Sequence, residues 1–288
     1  MILITGASGL SGGVVLAAAR AAGLPVTALY RARTDAAAAP AGVPHVIADF
    51  ADRAALATAL AGIETVYLVC APIPQLVELE TNVIEAAQAA GVRHVLLNSA
   101  LGAGRWHKSY PAWHTRVEQT LHASGIAYTI IRPNGFMQNF VTYNGDTIRA
   151  QNAFYGAAGE AKMSLIDVRD IGEAAAAILA NPAAHAGRIY ELNGPEPLSN
   201  ADAAALISAA VGRTVNYEDI PEEAQRQAML GAGMPEWQVT AILELQEYYR
   251  TGACAGSDAD LVGLLGHRAR RFAAWAVENA STFAPAAA

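Results

Sequence analysis

Short runs of consecutive apolar residues recur along the chain, with longer helical stretches between them. The runs are Ile2-Leu3-Ile4, Val26-Thr27-Ala28-Leu29-Tyr30, His45-Val46-Ile47-Ala48, Val66-Tyr67-Leu68-Val69-Cys70, Val95-Leu96-Leu97 and Tyr128-Thr129-Ile130-Ile131. Helical stretches fall near residues 12–22, 52–61, 75–90 and 112–124, and Gly23, Gly62, Gly91 and Gly125 stand where those helices should stop. Continuously apolar strands separated by helices of this length predict an α/β fold, a doubly wound parallel sheet covered on both faces. Beyond Gly187-Arg188-Ile189-Tyr190-Glu191-Leu192 the texture changes to Gly194-Pro195-Glu196-Pro197 and then to mostly helical sequence, which predicts a small helix-rich C-terminal lobe. The expected division is 1–132 plus 163–192 for the sheet domain and 133–162 plus 193–288 for the lobe. No internal repeat is visible, and low complexity is confined to residues 36–39, read as a loop, and 286–288, read as a frayed end.

The first apolar run leads directly into Thr5-Gly6-Ala7-Ser8-Gly9-Leu10-Ser11-Gly12-Gly13-Val14-Val15 and an alanine-rich helical stretch. Strand, tight turn and helix in that order make a dinucleotide-binding, Rossmann-like start. The first glycine permits the turn, the second lets backbone approach a pyrophosphate, and the third lets the helix pack close to the sheet. Gly6, Ser8, Gly9, Leu10, Ser11 and Gly12 are therefore the expected phosphate cradle, with the helix N-terminus supplying amides and a positive dipole end. Arg31 and Arg33 follow the second strand, where the adenosine ribose is read; guanidinium groups there suit a 2′-phosphate and favour NADPH. Asp35 close by keeps NADH possible. Asp49 and Phe50 follow the third strand and are expected near the adenine, with helix capping the open alternative for Asp49. Ala71 and Pro72, after the fourth strand, border the same expected cleft.

Composition narrows the function. Nineteen basic and 26 acidic residues give a formal charge of −7 in 288 residues, and no basic cluster interleaved with aromatics appears. Nucleic acid is thereby an unexpected partner. The two cysteines, Cys70 and Cys254, lie far apart and form no Cys-x-x-Cys pattern, and the seven histidines lack ligand spacing, so neither a disulfide framework nor a metal site is expected. No apolar stretch has the length and freedom from charge of a membrane span, and the start shows no targeting segment. The chain reads as cytoplasmic, acting as a monomer or homodimer on a small molecule.

Ser99 closes the fifth strand, and strand carboxyl ends border the ligand crevice of such a sheet. Tyr110 and His114 are four apart on the next helix, so a phenol and an imidazole would face the same way. Ser99, Tyr110 and His114 are the candidate catalytic residues. Lys108 reads as a solvated loop charge. Phe136, Phe140 and Tyr143 offer aromatic surface for a flat substrate in an apolar pocket between the lobes, with core packing the alternative for each.

The glycine turn, Ser99 and the Tyr-x-x-x-basic spacing resemble the short-chain dehydrogenase/reductase superfamily. The segments His114-Thr115-Arg116-Val117-Glu118, Ile131-Arg132-Pro133-Asn134-Gly135-Phe136-Met137-Gln138-Asn139-Phe140 and Ile166-Asp167-Val168-Arg169-Asp170-Ile171 are more specific. They resemble its atypical NmrA-like branch over nearly the whole chain. That branch includes NAD(P)H:quinone oxidoreductases, triphenylmethane and azo dye reductases, and redox-sensing regulators. The resemblance implies an NADPH-dependent reductase acting on a conjugated or aromatic acceptor, with Asn134 a further cofactor contact. The alternative it implies is a non-catalytic NADP-sensing regulator. His114 stands where the superfamily has lysine, so a fixed ammonium is replaced by a group with reference pKa of about 6.5.

Overall fold

The computed structural model describes residues 1–37 and 39–284. Residue 38 and the terminal run 286–288 lie outside the described residues. The chain forms two compact units: Met1–Arg105, Tyr110–Pro133 and Val168–Glu191 make the first, and Trp106–Ser109, Asn134–Asp167 and the described residues from Leu192 onward the second.

In the first unit, strands and helices alternate: β1 (Ile2–Ile4), α1 (Leu10–Ala21), β2 (Val26–Tyr30), α2 (Arg33–Ala36), β3 (His45–Ile47), α3 (Arg53–Ala59), β4 (Thr65–Leu68), α4 (Leu76–Ala89), β5 (His94–Asn98), α5 (Ser109–Ala123) and β6 (Ala127–Pro133). α6 (Asn139–Gln151) and β7 (Ala153–Gly156) belong to the second unit, after which α7 (Val168–Ala180) and β8 (Ile189–Leu192) return to the first. The seven-stranded sheet runs β3-β2-β1-β4-β5-β6-β8. β1 pairs in parallel with both β2 and β4, Ile4 standing beside Ala28 on one side and Tyr67 on the other. The strand order therefore reverses between β1 and β4, and a doubly wound sheet opens its ligand crevice at the carboxyl ends of that pair.

Alternate residues of each strand serve opposite faces. Leu3, Leu29, Val66, Leu68, Val95 and Leu97 join Leu56, Leu60, Val83 and Ile84 of α3 and α4 in one core cluster. Ile4, Ala28, Tyr67 and Leu96 are equally buried on the other face. The short helix α2 was not expected: Ala36 closes it instead of opening a loop.

The second unit continues with α8 (Asn200–Val211), β9 (Asn216–Asp219), α9 (Glu222–Gly231), α10 (Glu236–Arg250), α11 (Ala259–Leu265) and α12 (Phe272–Glu278). It is helix-rich but carries a parallel strand pair, β7 with β9, that periodicity did not announce. Its aromatic core includes Phe140, Phe154, Phe272, Trp275 and Phe283. Among the described residues no helix is long and apolar enough to cross a membrane.

Candidate active site

The carboxyl ends of β3, β2, β1 and β4 lie side by side in the sheet, and each carries a segment expected to meet a dinucleotide. After β1, Gly6 turns the chain at φ +59, and a Cβ on Gly12 would lie 2.2 Å from the Gly6 carbonyl oxygen. α1 can start against the turn only because position 12 has no side chain. Gly9 is the N-cap of α1 and supplies no side-chain cap. Ser8, Gly9 and Leu10 are exposed. The helix thus offers unpaired amides and its positive end at the β1/β4 crevice, a cradle that fits a pyrophosphate. Ser11 contributes backbone there, because its hydroxyl is turned inward and bonds the Tyr67 hydroxyl at 2.8 Å.

After β2, Arg31 and Arg33 are exposed, and the Arg31 guanidinium stands 3.8 Å from the Asp35 carboxylate. After β3, the cap of α3 is Asp52, which accepts from the amides of Ala54 and Ala55. Asp49 is not that cap; it accepts from the Ala51 amide at 2.8 Å in a turn and remains exposed. Phe50 is half-buried against the core, and its carbonyl accepts from Asn82. After β4, Ala71 and Pro72 are exposed. The Cys70 thiol beside them is pushed up to about 12, chiefly by burial and then by the Glu80 carboxylate, which makes it a poor nucleophile.

At the end of β5, the buried Ser99 hydroxyl donates to Glu118 Oε1 at 2.6 Å. Glu118 in turn holds Arg132 of β6 through two bonds, Nε at 2.9 Å and Nη2 at 2.6 Å. Ser99 is thereby placed in a buried network joining β5, α5 and β6, its proton committed to a carboxylate. Glu118 lies one turn beyond His114 on α5, so the same helix face carries both. His114 is 7% exposed, its Nδ1 is buried without a hydrogen-bond partner, and burial pushes the imidazole down to about 4 against the opposing pull of Glu118. It is neutral near pH 7, not partly charged, and cannot act as the missing ammonium. Tyr110 is half-buried, its ring edge-on to Trp113 at 5.3 Å. Lys108 is not simply solvated: its ammonium bonds both Glu247 oxygens, at 2.8 and 3.1 Å.

In the second unit, Asn134 is buried, and its Nδ2 donates to Asn193 Oδ1 and to the Cys254 carbonyl, both at 2.8 Å. Its Oδ1 accepts from the Gly135 amide, so the side chain fastens that unit internally. Phe140 is core, set edge-on to Phe154 and Phe272 at 5.4 and 5.1 Å. Phe136 is half-buried, and Tyr143 on α6 is 57% exposed. Asp167 accepts from Gln138 at 3.0 Å. No group of His, Cys, Asp and Glu among the described residues could hold a metal ion.

Glu80 of α4 went unnoticed in the sequence. It is fully buried, neither oxygen has a hydrogen-bond partner, and burial pushes it up to about 8, offset only in part by the nearby Cys70 amide. The signal was there: Glu80 occupies an apolar-face position between Leu76 and Val83.

The sheet order and the glycine turn at its switch point define a dinucleotide-binding α/β protein. The chain belongs to the NmrA-like family, whose profile matches residues 1–260. It is 36% identical to NAD(P)H azoreductase from Xenophilus azovorans, with 99% of this chain and all of that protein covered. It is 30% identical to quinone oxidoreductase 2 from Escherichia coli, over 93% of this chain and 94% of the relative. The crystal structure of the NADPH-dependent quinone oxidoreductase of Escherichia coli complexed with NADPH superposes with a TM-score of 0.89 at 29% identity, covering 96% of this chain and 99% of the other.

Proposed function

We propose that the protein is an NADPH-dependent reductase that passes hydride to a conjugated or aromatic acceptor such as a quinone, an azo compound or a cationic dye. The observation that carries this reading is the uncapped, exposed N-terminus of α1 at the β1/β4 crevice, with two exposed arginines at the end of β2. The named activities of the relatives point the same way. A reduced nicotinamide dinucleotide, when bound, supplies the hydride chemistry. The Gly6–Gly12 turn binds its pyrophosphate through backbone amides, and Arg31 and Arg33 bind the 2′-phosphate. Asp49 and Phe50 meet the adenosine end, and Ala71 and Pro72 border the crevice.

The neutral His114 imidazole orients ribose or substrate by hydrogen bonding rather than by charge. Tyr110 is the group that can give a proton to an acceptor needing one; a cationic dye needs none. Ser99 acts through Glu118, fixing the face of α5 that carries His114. Phe136 and Tyr143 are the aromatic surfaces for a flat acceptor. Neither cysteine forms a disulfide among the described residues, which suits a reducing cytoplasm. The test is acceptor-dependent NADPH oxidation by the purified protein with a panel of quinones, azo compounds and triarylmethane dyes. Oxidation above the uncatalysed rate with at least one acceptor is expected. NADPH binding without turnover on the whole panel would replace this reading with that of a nucleotide-sensing regulator.

A further inference from the structure

The four residues immediately before Tyr110 are fastened to α10 at three points. The Trp106 and Tyr248 rings lie 5.2 Å apart at an interplanar angle of 34°. Lys108 bonds both carboxylate oxygens of Glu247, and the buried Ser109 hydroxyl donates to the Ala241 carbonyl at 2.6 Å. Ala241 and Tyr248 are two helical turns apart and share a face of α10, so the segment runs along that helix. Ser109 is held at φ +55, in the left-handed region. Elsewhere among the described residues the chain uses glycine for positive φ, apart from Asn152 at the C-cap of α6, a residue type that tolerates the conformation. At position 109 it accepts the strain of a side chain, and the hydroxyl so gained makes the buried bond. Strain retained against an available glycine marks a place where geometry matters to function. The next residue is Tyr110, and His114 lies one turn further on the helix that Ser109 opens.

We propose that Ser109 is a positioning residue: its bond to the Ala241 carbonyl locks the left-handed entry into α5 and so sets where Tyr110 and His114 present their side chains. The inference rests on the reading of Tyr110 and His114 given above. Without the hydroxyl, an alanine at 109 relaxes toward negative φ and swings the start of α5. Glycine, which tolerates positive φ, keeps part of the native entry. The two variants therefore separate positioning from simple stabilisation.

The experiment compares kcat, KM for the acceptor and NADPH affinity for the native protein, Ser109→Ala, Ser109→Gly, Tyr110→Phe and His114→Ala, using whichever acceptor of the panel is turned over. Misplacement of a reacting group lowers kcat by between about tenfold and about a hundredfold. That loss is expected in Ser109→Ala with NADPH affinity unchanged, and Ser109→Gly should recover part of it. If the alanine variant does not fold, the glycine variant decides, since kcat below native with native NADPH affinity supports the proposal. Native kcat in either Ser109 variant, with only a lower melting temperature, overturns it. Native kcat in both Tyr110→Phe and His114→Ala would instead overturn the underlying reading.

Discussion

Arg31 and Glu80 show how single side chains set measurable properties. Arg31 is tied loosely to Asp35 across 3.8 Å and is otherwise open to solvent, so it is available to a 2′-phosphate. Arg31→Ala should weaken NADPH binding by about 1.5–3 kcal/mol, the range for a charge-assisted hydrogen bond, and leave NADH binding little changed. Asp35→Asn, which releases Arg31, should move the ratio the other way. Titrating both cofactors checks both variants, and equal affinity of the native protein for NADH and NADPH would contradict the assignment. Glu80 is a stability matter. Its folded pKa of about 8 lies above the usual carboxylate value, so the folded state holds a proton that the unfolded state has released. Its contribution is therefore full below about pH 4.5 and is lost as the pH rises toward about 8. Glu80→Gln keeps the shape and removes the penalty. Its gain in melting temperature should be larger at about pH 8.5 than at about pH 5.5, and a gain independent of pH would refute the cause given.

Among elements, the joint of β5, α5 and β6 is held by a buried ion pair. Glu118 satisfies Ser99 and Arg132 at once, and its loss takes two charge-assisted bonds from a guanidinium that is only 14% exposed. Glu118→Ala should cost about 3–5 kcal/mol in urea unfolding, more than Ser99→Ala, which removes one charge-assisted bond worth about 1.5–3 kcal/mol. Similar losses for the two would mean that the carboxylate is not the centre of the network. The elements themselves were legible wherever a strand is a continuous apolar run or a helix ends at glycine, which covers β1 to β6 and the helices between them other than α2. β9 was not, because Asn216-Tyr217-Glu218-Asp219 is short, polar and mostly exposed. Side-chain employment was less legible than helix position. The periodicity put Tyr110 and His114 on one helix, but the partners that decide their neighbours' roles lie far along the chain. Ser99 meets a carboxylate 19 residues away and Ser109 a carbonyl 132 residues away. The glycine turn was readable because all its parts fall within a few consecutive residues.

For the whole molecule, three buried titratable groups bend the stability curve in opposite directions. His94 and His114 are each pushed down to about 4 by burial, so the unfolded chain takes up their protons first and stability falls as the pH drops below about 6.5. Glu80 acts against the folded state as the pH rises toward about 8. With two groups against one in the overlap, the balance places their combined optimum near about pH 6.5, readable from melting temperatures across that range. The cradle and the arginines serve a reductase only if bound cofactor reduces an acceptor directly. The measurement that tests this is a single turnover of protein-bound NADPH carrying deuterium at the transferable C4 position, mixed with a cationic triarylmethane dye. Breaking the C4–D bond and forming a C–D bond at the dye's central carbon oxidises the nicotinamide, reduces the dye and requires no proton. Deuterium on the central carbon of the colourless product is the expected result; a colourless product carrying solvent hydrogen at that carbon would contradict it.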